Sequence, residues 1–412
     1  MVSKLHPQML EWALDPTLIQ QRMSFIAGPR QIGKTTMLQN YLVSIKREPA
    51  YFNWDTPQVR RAYRANPDFF SDTIKPTDQF PAPVVFDEIH KYPKWKSVLK
   101  GLHDSWRGKV RFIVTGSARL DFFRKSGDSL VGRYYLFRKF PLHPRECMGF
   151  QQATPRWRGK TALVENLLEV DSAWSDATRQ LCSLNGFPEP FLAGSHDTLT
   201  RWQTEHLNLL ITEDLADLTK IEQVLRVEEL ADILRTKVGA PLSTNKVAGQ
   251  IQAAFPTVKR WLDALELVYL TFRIPPFTHK IARAIQKEPK LYFWDWSLVR
   301  DEGARFENIV AVYLMRAVTT WNEMGLGNYG LHYVRSRDGI EADFLITNDH
   351  KPLALFEAKL SDTNISSSLL RIREWIKVPE AIQVVQTSNV QKMYREKGVW
   401  TIGLDRLLQA LA

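Results

Sequence analysis

Residues 22–36 read RMSFIAGPRQIGKTT. Arg22 to Ala27 is short and apolar, and from Leu38 to Ile45 an apolar pattern resumes at helical spacing. Between them, Gly28-Pro29-Arg30-Gln31-Ile32-Gly33-Lys34-Thr35 satisfies G-x-x-x-x-G-K-[ST] in the strand–loop–helix setting this motif requires. Glycines at the two ends let main-chain N–H groups approach a phosphate, and the start of the following helix adds partial positive charge. Lys34 is expected to reach the β- and γ-phosphates of ATP, and the Thr35 hydroxyl to ligate Mg²⁺. The binding candidates are Gly28, Pro29, Arg30, Gln31, Ile32, Gly33, Lys34, Thr35 and Thr36.

Working outward, Ala50–Trp54 reads as a second strand, Pro83–Phe86 as a buried strand and Val110–Thr115 as another, with Trp95–Trp106 helical between the last two. Strands alternating with helices predict a parallel α/β sheet covered on both faces. Asp87 and Glu88 end the strand PVVF. They are the expected acidic partners of the loop, Asp87 as a metal-shell residue and Glu88 as the base that polarises water. Thr115-Gly116-Ser117 ends the next strand, and Ser117 is a candidate γ-phosphate contact. Among Arg30, Arg119 and Arg133, Arg133 is ranked first as the cation for transition-state charge, acting in the same chain or across a subunit boundary.

Leu199–Leu218 is helix-rich, and Val227–Tyr269 holds three helical stretches. The last of these, Pro256–Leu267, starts on a proline and aligns Val258, Trp261, Leu262 and Leu265 on one face. That leaves Lys259 and Arg260 outward, and Val268–Ile274 follows as a strand, the order of a winged helix. With Arg335 farther on, Lys259 and Arg260 are candidate DNA contacts. Beyond Ile281, the expected order is helix 304–318, strands 331–335, 341–347 and 352–358, helix 369–376, strand 381–386 and helix 405–411, with a turn at Asn348-Asp349-His350.

The quoted loop and the segments FDEIHKYPKWKSVLKGLHD (86–104), TGSARL (115–120) and LVGR (130–133) resemble prokaryotic AAA-type P-loop ATPases that carry a C-terminal domain of unknown function 4143. VKRWLDALELVYLTFRIPPF (258–277), ARFENIV (304–310), YVRSRDGIEADFLI (333–346) and FEAKLSD (356–362) resemble the same family. The implied fold class is α/β: an AAA-like P-loop NTPase with a parallel sheet, a helical and winged-helix segment, and a restriction-endonuclease-like C-terminal domain. The implied domains are 1–147 (ATPase), 148–222 (helical lid or linker), 223–278 (winged helix) and 279–412 (PD-(D/E)xK nuclease-like). In the nuclease-like layout, Asp343 and Glu357 would bind a divalent metal, Lys359 would position water and Glu307 would support the site. The resemblance also implies ATP and Mg²⁺ as cofactors, DNA as a partner and a ring or dimer as an assembly.

Composition agrees with this outline. The chain has 412 residues, 44% hydrophobic and 24% charged, with 55 Lys and Arg against 45 Asp and Glu, a net charge of +10. That mixture excludes a disordered or low-complexity chain and is compatible with a polyanionic partner. Only Cys147 and Cys182 occur, which excludes a disulfide framework and a cysteine zinc site. No apolar run is long enough for a membrane span and the first residues lack an export pattern, so a cytoplasmic location is expected. Three functions stand open: ATP-driven engagement of DNA in repair, defence or branched-DNA processing; an ATP-gated metal nuclease; and a nucleotide switch that binds protein partners without DNA.

Overall fold

The computed structural model describes residues 13, 22–75, 81–116, 130–148, 163, 167, 170–215, 223–278, 288–361, 364–394 and 398–411. The chain divides into two compact units, and the described residues through Phe140 form the first.

In the first unit the described elements are β1 (Met23–Ala27), α1 (Lys34–Ser44), β2 (Tyr51–Asn53), α2 (Pro57–Ala65), β3 (Ala82–Asp87), α3 (Trp95–Ser105), β4 (Val110–Thr115) and β5 (Tyr134–Arg138). The five strands pair in parallel in the order β2-β3-β4-β1-β5. Every residue of β1 and of β4 is buried, as expected for central strands covered on both faces. One side of the sheet is packed with aromatic rings, among them Phe25, Trp54, Phe70, Phe86 and Phe112. Because all five strands run the same way, the segments leaving β1, β3 and β4 emerge at one edge. That edge is where open parallel sheets bind ligands. The sequence reading placed β1 to β4 but missed β5, whose residues Tyr134–Arg138 alternate weakly in burial.

The second unit starts at Pro141. The cause is local. Glu146 is buried and pairs with Arg316 at 2.9 Å, while the Leu142 N–H donates to the Gly186 carbonyl at 2.7 Å. Its helices include α4 (Ser172–Ser183), α5 (His196–Leu209), α6 (Val224–Arg235), α7 (Thr244–Gln250) and α8 (Phe255–Leu267). A hairpin follows, β6 (Thr271–Ile274) against β7 (Lys290–Phe293). The order helix, turn, helix, hairpin is therefore present. β7 lies beyond the expected boundary at residue 278, so the hairpin joins the two segments that the sequence reading kept apart.

The remaining elements are α9 (Glu302–Glu323), β8 (Tyr329–Arg335), β9 (Glu341–Asn348), β10 (Lys351–Lys359), α10 (Ser367–Ile376), β11 (Glu380–Val385), β12 (Gln391–Tyr394), β13 (Val399–Gly403) and α11 (Leu404–Leu411). Six strands form a mixed sheet in the order β12-β13-β11-β10-β9-β8. β8, β9 and β10 are antiparallel to one another, and β11 runs parallel to β10. Asp349 and His350 sit between β9 and β10 with φ of 48° and 64°. Two consecutive positive φ values suit the tight reversal of a twisted hairpin. α9 begins where the Asp301 carboxylate accepts the Ala304 N–H at 2.8 Å. It continues past the expected Val318 because Trp321 is buried and packs on Tyr329.

Candidate functional site

The loop between β1 and α1 has the shape its sequence requires. Gly28 has φ of 147°, and a Cβ there would lie 2.4 Å from the Lys139 carbonyl oxygen, so no larger residue fits. Gly33 caps α1 in the left-handed region at φ 86°. Lys34 is buried, and its Nζ donates to the carbonyls of Gly28 at 3.0 Å and Pro29 at 2.8 Å. The ammonium is thus folded over the loop it is expected to serve. Thr35 and Thr36 are exposed at the start of α1, Arg30 is half-buried and Gln31 is exposed.

Asp87 faces this loop. Strands one apart lie about 4.8 Å from each other, so β3 and β1, with β4 between them, are about 10 Å apart. The gap is bridged by side chains. The Thr35 hydroxyl donates to Asp87 Oδ2 at 2.7 Å, the Tyr51 hydroxyl donates to the same oxygen at 2.5 Å, and the Thr115 hydroxyl donates to Oδ1. Asp87 is almost fully buried and accepts three hydroxyl donors. Burial, and then the hydrogen bond to Asp87, push the Tyr51 hydroxyl well above its ordinary range, so it remains a donor. Tyr51 is absent from the sequence candidates. Thr115 was noted only as part of a strand end facing phosphate.

Glu88 follows Asp87 in the left-handed region at φ 56°, which turns the chain sharply after β3. Its carboxylate lies 3.6 Å from His90 Nε2 and 4.0 Å from Lys91 Nζ. Arg133 is placed elsewhere. It precedes β5, its carbonyl accepts the Met23 N–H, and its guanidinium holds Asp104 at 3.0 and 3.1 Å. The Arg133 hydrogen bonds, with help from His103, pull the Asp104 carboxyl down to about 2. Met23 begins the strand that ends at the loop, so Arg133 is about 15 Å from it. The structure does not bring Arg133 to Lys34 and Asp87 within one chain. Ser117 and Arg119 lie outside the described residues.

The donor set at the loop fits a nucleotide with Mg²⁺. Mg²⁺ favours a few hard oxygen ligands completed by phosphates and water. The Thr35 hydroxyl and Asp87 carboxylate, already 2.7 Å apart, supply such oxygens beside the Lys34 ammonium.

In the second unit, Asp343 on β9 and Glu357 on β10 are neighbours across the antiparallel pair, as the alternation of strand faces implied. Glu307 on α9 reaches the same place. The residue at the centre is Lys290, the first of β7, which the sequence reading did not single out. Its ammonium is fully buried and lies 2.7 Å from Glu341, 3.1 Å from Glu307 and 3.2 Å from Asp343. The Tyr292 hydroxyl donates to Glu307 Oε1 at 2.7 Å, and the Ala358 N–H donates to Asp343 Oδ2 at 3.0 Å. Lys359 pairs with Glu357 Oε1 at 3.0 Å, leaving the buried Oε2 of Glu357 without a hydrogen-bond partner.

The electrostatics follow from this crowding. Burial, and then the Asp343 charge, push both Glu307 and Glu357 up to about 7. Burial alone would lower the Lys290 ammonium, but Glu307, Asp343 and Glu341 together hold it above the ordinary lysine range. Both Asp343 oxygens are engaged, one by an ammonium and one by a main-chain N–H. Among the described residues, no group of three or more carboxylate, imidazole or thiol side chains is arranged to hold a metal ion. The donor set therefore does not fit the divalent metal expected at Asp343 and Glu357.

Lys259 and Arg260 are exposed on α8, and Lys246 is exposed on α7. Arg335 is exposed and pairs with Glu341 at 3.4 Å, so part of its charge is spent within the acidic cluster. Tyr333, its neighbour, is buried, with its hydroxyl donating to the Glu288 carbonyl at 2.6 Å.

A parallel sheet with a phosphate loop after β1 and an acidic pair after β3 defines a P-loop nucleotide-binding module of the AAA type. Comparison with domain families agrees: residues 20–148 match the AAA domain, residues 175–302 match domain of unknown function 8612, and residues 302–407 match domain of unknown function 4143. The chain thus carries an AAA-type P-loop domain and, at its C-terminal end, a domain of unknown function 4143. Two uncharacterized proteins, from Mycobacterium bovis and Mycobacterium tuberculosis, are each 22% identical over 351 residues, covering 84% of this chain and 72% of theirs. Among solved structures, the Orc1 protein of Aeropyrum pernix in complex with DNA matches at 13% identity and a TM-score of 0.31, covering 76% of this chain and 96% of that one. A score of that size carries no argument about fold or partner, and the fold stands on the strand order above. None of the described helices is long and apolar enough to cross a membrane.

Proposed function

We propose that this chain hydrolyses ATP with Mg²⁺ at the loop between β1 and α1, and couples that turnover to engagement of DNA. The hydrogen bond of 2.7 Å between Thr35 and Asp87 carries the catalytic half. It joins the helix that starts at the phosphate loop to the strand that bears the acidic pair, beside an ammonium hydrogen-bonded to loop carbonyls. In this reading Lys34 exchanges the carbonyls of Gly28 and Pro29 for β- and γ-phosphate oxygens. Thr35 and Asp87 would hold Mg²⁺, which when bound neutralises charge on the phosphates. Glu88 orients the attacking water as a general base, and the loop N–H groups and the start of α1 complete the cradle. Arg133 enters this scheme only across a subunit boundary, which requires an oligomer.

The DNA half rests on charge and shape. The net charge is +10, and the helix–turn–helix of α7 and α8 presents Lys246, Lys259 and Arg260 to solvent. ATP binding is proposed to order the surroundings of Lys34 and Asp87 and to change how the later elements engage DNA. ATP turnover measured with and without single-stranded, double-stranded and branched DNA tests this directly. Stimulation by DNA, with binding that weakens steeply with salt, is the expected result. No stimulation and no binding would leave a nucleotide switch for protein partners. The nuclease reading loses its metal site to Lys290, so cleavage forms no part of the proposal.

A further inference from the structure

Three carboxylates converge on one buried ammonium in the second unit. An ammonium carries three N–H donors. Those of Lys290 face Glu341, Glu307 and Asp343 at 2.7, 3.1 and 3.2 Å, and the Tyr333 ring lies 5.7 Å away. The donor capacity of the lysine is filled, and the lysine has no exposed surface. Its main chain is fixed by pairing with Ile274 of β6 and its side chain is enclosed on all sides, so the ammonium stays among these oxygens. A divalent cation placed among the same oxygens would sit about 3 Å from a positive charge in a low-dielectric setting, where like charges repel strongly.

We infer that Lys290 occupies the acidic cluster in place of a divalent cation, making it an internal ion-pair hub that fastens the β6–β7 hairpin to α9 and β9. The lysine comes from the hairpin, Glu307 from the helix, and Glu341 and Asp343 from the sheet, so the hub ties three elements that are remote in sequence. Phe277 and Pro275 support the same junction through main-chain hydrogen bonds with Tyr333 at 2.7 and 3.1 Å. Lys359 and Glu357 form a separate, more exposed pair at its edge.

The test uses the full chain without nucleotide. Mn²⁺ is titrated calorimetrically into the wild-type protein and into Asp343→Asn. Heats that match between the two are expected; Mn²⁺ binding in the wild type that disappears in Asp343→Asn overturns the inference. Lys290→Ala removes the central, buried cation from among three half-buried carboxylates and should lower the melting temperature by about 10 °C. Added Mn²⁺ should recover part of that loss, and the double variant Lys290→Ala/Asp343→Asn should not respond to Mn²⁺. A melting temperature unchanged in Lys290→Ala contradicts the hub. If Lys290→Ala does not fold, Glu341→Gln, which removes one of the three carboxylates, should give a smaller fall, and the wild-type titration still decides the metal question.

Discussion

Lys34 and Lys290 are both buried against oxygen, and they differ in what those oxygens are. Lys34 rests on two main-chain carbonyls, each carrying only a partial charge, at the open edge of a parallel sheet. Lys290 rests on three carboxylates and is closed off from water. A phosphate can outbid carbonyls for an ammonium, since charge-assisted hydrogen bonds are roughly twice as strong as neutral ones. Nothing a ligand offers outbids three carboxylates. The first lysine is poised to exchange partners and the second is committed. The difference separates a binding site from a structural junction although both residues are buried lysines.

The largest effect should come from the uncommitted lysine. Lys34→Ala should reduce ATP turnover by at least about 100-fold, because one group supplies both binding and transition-state charge. Turnover within a few-fold of wild type would place the chemistry elsewhere. The next effect concerns DNA. Lys259→Ala/Arg260→Ala should weaken binding several-fold and reduce the slope of log affinity against log salt by about 2, one for each lost phosphate contact. A slope that does not change would remove α8 from the interface.

The committed lysine predicts a pH effect of smaller size. Glu307 and Glu357 titrate near 7 in the folded chain, above the ordinary glutamate value of 4.5. The folded state therefore takes up protons that the unfolded chain does not, and stability should rise as pH falls from 8 to about 6. Glu357→Gln should flatten part of that rise in melting temperature. A wild-type chain that loses stability over this interval, with Glu357→Gln behaving identically, would break the comparison at its second half. The smallest effect is expected at Arg133. It is held by Asp104 at the far end of β1, so Arg133→Ala should leave the turnover of the monomer within about twofold. A large loss that depends on protein concentration would indicate that it reaches a neighbouring subunit.

The loop was legible because its signal is local. Gly28, Gly33, Lys34 and Thr35 are fixed by spacing along eight residues, and their burial and φ values follow from that spacing. Asp87 was legible for a similar reason, since it ends an apolar run. Tyr51 and Thr115 were not, because their hydrogen bonds to Asp87 depend on β2, β3 and β4 being neighbours, which no local pattern states. The C-terminal acids were placed correctly on their strands and helix. What the sequence hid was the lysine among them. Lys290 opens a four-residue strand and looks like a surface residue; only the pairing of β7 with β6 brings it to Glu307, Glu341 and Asp343. That lysine is what sets the arrangement apart from the metal site implied by the resemblance. β5 was missed because its burial alternates weakly, and β7 was not recognised as the partner of β6.

The Thr35–Asp87 pair is the proposed metal side of the nucleotide site. Calorimetric titration of ATP into the full chain, with and without Mg²⁺, measures this directly. Mg²⁺ should tighten ATP binding in the wild type, and that increment should vanish in Thr35→Ala and in Asp87→Asn while Asp343→Asn retains it. An increment that survives in both loop variants, or that is lost in Asp343→Asn, would contradict the assignment.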